Sequence, residues 1–92
     1  MINGNLDFFL DNLNCGEELL FVFEGKKYFV QGWIKGEIKH MECWLYEDVS
    51  KPYIFVMDSA SMAENAKAFL SAPIWGGKTF LEVEQNIEWV DE

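Results

Sequence analysis

Between Glu18 and Met57 the chain is interrupted twice by short glycine-containing segments, Gly25-Lys26 and Lys35-Gly36-Glu37. Glycine supplies the positive φ that a tight hairpin turn requires. The segments they separate carry strand patterns. Residues 18–24 (Glu-Leu-Leu-Phe-Val-Phe-Glu) are apolar at consecutive positions, residues 27–34 return and end in Trp33-Ile34, and over 38–47 Met41, Cys43 and Leu45 alternate with His40, Glu42 and Trp44. A loop over Asp48–Pro52 leads to a fourth apolar run, Tyr53-Ile54-Phe55-Val56-Met57. This predicts an antiparallel four-stranded β-meander over residues 18–57. The first and fourth strands lack a polar face, so both are expected to be central or covered on two sides, with Val22 and Phe55 nearly inaccessible.

Helical signals flank the meander. Over residues 5–13, Asn5 is the N-cap, Asp7 suits the first turn, and Leu6, Phe9, Leu10 and Leu13 recur at helical spacing. Gly16 suits the stop. Ser61-Met62-Ala63-Glu64 has the form of a capping box, followed by Met62, Ala66, Phe69 and Leu70 on one face, and Pro73 bars continuation. Thr79-Phe80-Leu81-Glu82 is a second capping box. After it, Phe80, Val83, Ile87 and Val90 fit a helix, while Leu81, Val83, Ile87 and Trp89 alternate with Glu82, Glu84 and Glu88 as a strand would. Length and the cap favour the helix. The sum is an α+β fold, an N-terminal helix and one or two C-terminal helices packed on the sheet, in a single domain over residues 1–92.

Sixteen acidic residues face seven basic ones, all lysine, giving a formal net charge of −9 on a chain that is 50% hydrophobic and 16% aromatic. That apolar content supports a core, so the acid sits on a folded surface rather than a disordered tail. Such a surface repels nucleic acid and membranes and attracts basic proteins. No signal-peptide pattern follows Met1 and no apolar run is long enough to span a bilayer, so a cytoplasmic protein with reduced Cys15 and Cys43 is expected.

Few residues invite chemistry. His40 and Cys43 have metal-ligand types, but three positions apart in a strand they point to opposite faces, so they would not share a metal without a bulge, and a Cys–His nucleophile pair fails on the same geometry. His40 shares its face with Glu42, so a paired, solvated histidine is expected. Adjacent acids such as Glu17-Glu18 carry no signal where carboxylates are this common. Gly76-Gly77-Lys78-Thr79 ends like a phosphate loop, but Ala72 stands where that motif needs glycine, and no strand precedes it. Neither cofactor nor catalytic set is expected.

The charge is uneven. Residues 25–41 hold Lys26, Lys27, Lys35 and Lys39 against Glu37, a local +3, while Glu82, Glu84, Glu88, Asp91 and Glu92 follow Lys78 with no intervening base. These five acids, with Trp75 and Trp89 as aromatic anchors, are the candidate partner-binding residues. The expected function is a small acidic protein-binding module. In size and charge, though in no motif, the chain is similar to toxin-neutralising immunity proteins and to anti-CRISPR proteins, which implies an inhibitor of a basic nucleic-acid enzyme. The alternative is a non-catalytic adaptor, homodimeric through an edge strand or an apolar patch.

Overall fold

The computed structural model describes residues 1–48, 50 and 52–90. Helix α1 (Leu6–Asn14) precedes strands β1 (Leu19–Phe23), β2 (Lys26–Lys35), β3 (Ile38–Leu45) and β4 (Phe55–Ser59). Helices α2 (Met62–Ser71) and α3 (Phe80–Val83) follow, then a 3-10 turn over Glu84–Asn86 and strand β5 (Glu88–Val90). The strands form one antiparallel sheet in the order β4-β3-β2-β1-β5. The fold is α+β with the β1–β4 meander, and the sheet has five strands rather than four.

Hairpin chemistry sets the register. Phe23 pairs with Lys26, so the first turn is centred on Glu24-Gly25, one residue earlier than the sequence suggested. Both central residues have positive φ, 50° and 77°, as a type I′ turn requires; glycine takes this freely, whereas Glu24 takes it at some cost. Lys35 pairs with Ile38 across Gly36-Glu37, with Gly36 at φ 63°.

One face of the sheet carries the core. Phe21, Val30, Met41 and Cys43 project from β1, β2 and β3 onto Phe9 and Leu13 of α1, Ala66 and Phe69 of α2, and Phe80 and Val83 of α3. Burial of each of these phenylalanines contributes about 1.5–3 kcal/mol. Phe21 meets Phe80 edge-on at 5.6 Å, and Phe55 of β4 meets Phe69 edge-on at 5.3 Å, a geometry that adds quadrupolar attraction to area burial, while Phe9 stacks on Phe80 at 5.3 Å.

Three expectations need correction. Strand β4 is an edge strand, with Val56 exposed and Phe55 only half buried. Its apolar run packs on α2 through alternate residues only. Strand β1 is central, flanked by β2 and β5, yet Val22 remains half-exposed because no helix covers its face. Residues 79–90 are both helix and strand: α3 ends at Val83, and after Ile87 the chain runs beside β1. The expected Asp48–Pro52 loop includes Val49 and Lys51, which lie outside the described residues.

The caps divide. Thr79 and Glu82 close a complete capping box on α3. Ser61 is the N-cap of α2 but makes no side-chain cap bond. There the Ser59 hydroxyl accepts from the Ser61 amide at 3.2 Å and donates to the Ser61 carbonyl at 2.7 Å. The N-terminal segment covers the outer edge of β5. The Ile2 amide donates to the Ile87 carbonyl at 2.8 Å and the Trp89 amide to the Ile2 carbonyl at 2.9 Å. No helix among the described residues is long and apolar enough to cross a membrane.

Candidate functional site

The acidic C-terminal segment is largely engaged within the chain. Glu82 accepts from the Thr79 amide at 2.9 Å, and its bonds to Thr79 hold its carboxyl below the usual carboxylate range. Glu84 accepts from the Met1 ammonium at 2.7 Å, and Glu88 from the Asn3 side-chain amide at 3.1 Å. Asp91 and Glu92 lie outside the described residues. Trp75 does not present an anchor: it is 2% exposed, set edge-on among Phe21, Phe23 and Tyr28. Trp89 does reach the surface, half-buried on β5, with its ring stacked on Phe8 at 5.6 Å and edge-on to Phe9 at 5.4 Å.

Trp89 opens onto a concavity of about 400 Å³ where α1 turns into β1 beside β5. Leu19, Leu20, Phe29 and Val90 supply apolar lining, Phe8 and Trp89 an aromatic wall, and Glu17 and Glu18 the acid. Phe8 is 60% exposed and both glutamates are exposed, so aromatic and carboxylate surfaces stand together in solvent. No lining residue is basic. The local fold makes this placement. Gly16, at φ 74°, turns the chain from α1 into β1, and its carbonyl accepts from the Gly32 amide at 3.1 Å. The two glutamates therefore sit at the corner where helix becomes strand. Phe8 lies one position away from the buried Phe9 on α1 and so faces outward beside Trp89.

Of the sequence candidates, then, the structure brings Trp89 and Glu88 together on β5, places Glu84 and Glu88 against the N-terminal segment, and sets Trp75 in the core. Sequence reasoning missed Phe8, Glu17 and Glu18. The available signal was Phe8, an aromatic residue off the apolar stripe of α1.

The sheet face opposite the helices holds a second cluster. Phe29, Trp44 and Tyr53 form an aromatic row, with ring centroids 4.7 Å and 5.3 Å apart. Beside it, His40 stands between two carboxylates. Its Nδ1 is 2.5 Å from Asp58 Oδ1 and its Nε2 is 2.8 Å from Glu42 Oε1. Trp33 lies against the imidazole at 4.4 Å. His40 is 9% exposed and Glu42 5% exposed, so the histidine is paired as expected but buried rather than solvated. Burial alone would lower its pKa. The hydrogen bonds to Glu42 and Asp58 and their negative charges outweigh that effect, and the pKa is raised above 6.5.

Cys43 projects into the core on the opposite face from His40, and burial pushes its thiol far up. Cys15 and Cys43 are both free. No group of three or more metal-ligating side chains among the described residues is arranged to hold an ion. Comparison with protein families, with curated proteins and with solved structures gives no match for this chain.

Proposed function

We propose that the chain is a non-catalytic binding module that takes a basic protein segment into the groove between α1 and the β1–β5 side of the sheet. One observation carries the reading: the exposed Phe8 and the half-buried Trp89 share a concavity with Glu17 and Glu18 and with no base. A lysine or arginine side chain matches that lining at both ends. Its alkyl stem lies along the rings of Phe8 and Trp89, and its cation meets the Glu17 or Glu18 carboxylate. The net charge of −9 favours encounter with basic partners from a distance. Within this class, an inhibitor that occupies the phosphate-binding channel of a nucleic-acid enzyme is the favoured form, because such channels offer basic surface of the required sign.

The test is amide and indole NMR of the labelled protein titrated with lysine- and arginine-containing peptides. Shifts confined to Phe8, Leu20 and the Trp89 indole are expected. Shifts spread over the whole acidic surface, or centred on the aromatic row of Trp44 and Tyr53, overturn the reading.

A second reading, self-association through an edge strand, is favoured by β4. Among the described residues its outer edge has no strand partner, and Tyr53 and Val56 are exposed beside it. Sedimentation over a range of concentrations separates the two: only self-association raises the mass of the protein alone.

A further inference from the structure

We propose that His40, Glu42 and Asp58 form a proton-operated latch that holds edge strand β4 to the sheet, and that loss of the His40 proton loosens β4 while the rest of the sheet stays closed. The geometry makes the histidine the keystone. In register, His40 stands directly opposite Asp58 on β4 and opposite Trp33 on β2. Both ring nitrogens lie within hydrogen-bond distance of a carboxylate oxygen, at 2.5 Å and 2.8 Å. Carboxylates only accept, and a neutral imidazole has one N–H to give. Both contacts are satisfied together only by the imidazolium, with two charge-assisted bonds.

The charged groups around the ring are few. Asp58 faces it from β4, and Glu42 from its own strand, with the second oxygen of Glu42 accepting from Gln31 Nε2 at 3.4 Å. Strand β2 presents Trp33 and Gln31, which do not titrate here, and Lys35 on the same face toward the hairpin turn. The helices pack on the other face.

When the ring loses a proton to solvent, one carboxylate faces a bare nitrogen. The side chain of Glu42 is 6% exposed and that of Asp58 54% exposed, so Glu42 keeps the remaining N–H and Asp58 turns to water. The lost bond is therefore the one that joins β4 to β3. What remains on β4 is its backbone ladder and the packing of Phe55 on Phe69. A histidine whose folded pKa is raised contributes stability that is complete below its unfolded value, about 6.5, and is lost as pH rises through the folded value. The latch is thus closed in mild acid and opens toward alkaline pH.

The experiment pairs two readings on the intact chain. Nitrogen-15 NMR of the imidazole gives the titration of His40, and hydrogen-exchange protection factors, corrected for the intrinsic pH dependence of exchange, follow Val56 and Asp58 on β4 against Phe21 on β1. The β4 factors are expected to fall about tenfold across the His40 titration, with Phe21 unchanged. In His40→Gln, which hydrogen-bonds without titrating, and in Asp58→Asn, that pH dependence should vanish. The latch is overturned if wild-type β4 protection does not follow the imidazole titration, if β1 falls in parallel, or if His40→Gln keeps the same profile. The wild-type measurement alone decides the matter should either variant fold poorly.

Discussion

Gly32 has no room for a side chain. A Cβ built there falls 2.8 Å from the His40 carbonyl oxygen and 2.8 Å from both Sδ and Cε of Met62. The thioether can swing aside, but the carbonyl belongs to the neighbouring strand of the ladder and cannot. Gly32→Ala therefore forces β2 and β3 apart beside His40, and the expected loss is about 1–3 kcal/mol, typical of overpacking. Urea unfolding measures it, and an unchanged midpoint would mean that the sheet yields without cost at this point. The same strain should reach the imidazole, since the His40 backbone carries both the carbonyl and the ring. Asn65 adds a reason for rigidity there: it is fully buried, and its side-chain amide donates to the Lys39 carbonyl at 2.9 Å.

At the level of elements, the two capping boxes written in the sequence have different fates, and their energetics should differ accordingly. Thr79 accepts from the Glu82 amide at 3.3 Å while Glu82 accepts from the Thr79 amide, so Thr79→Ala removes a working cap and should cost about 1 kcal/mol. Ser61→Ala removes no side-chain bond and should cost a few tenths at most. Thermal melts of the two variants check the contrast, and equal losses would contradict it. The hairpins were legible because glycine at a turn is a local requirement. The position of each strand in the sheet was not, because it depends on pairing between distant segments. The apolar run of β4 reads like a buried strand, yet only Phe55, Met57 and Ser59 turn toward the helices, and nothing in that pattern tells an edge from a centre. Residues 79–90 fitted two periods because the chain changes from helix to strand at Ile87, within one reading window.

For the whole molecule, the excess of acid was legible in the composition, but its placement was not. An aromatic count carries no burial: Trp75 is enclosed in the core while Trp89 packs at its margin and stays half-buried, and only the packed structure distinguishes them. Nor does a run of acids in sequence reveal which carboxylates are free, and Glu82, Glu84 and Glu88 each hold the fold together. Reversing Glu84 would set a lysine against the Met1 ammonium and confound binding with stability. Glu17 and Glu18 are the better probes, since both are exposed and line the groove. The double variant Glu17→Lys/Glu18→Lys should weaken binding of a lysine-rich peptide about tenfold at low salt, and the difference should shrink above about 0.15 M, where screening reaches roughly 8 Å. The control is Glu37→Lys/Glu64→Lys, two exposed acids on the β2–β3 turn and on α2 that change the net charge equally and do not line the groove. It should weaken binding far less, because a local contact depends on position whereas a diffuse field depends on total charge. Titration calorimetry across a salt series reads both. If the two double variants lose affinity alike, the acid acts only as a field around the whole molecule, and the groove is not where the partner binds.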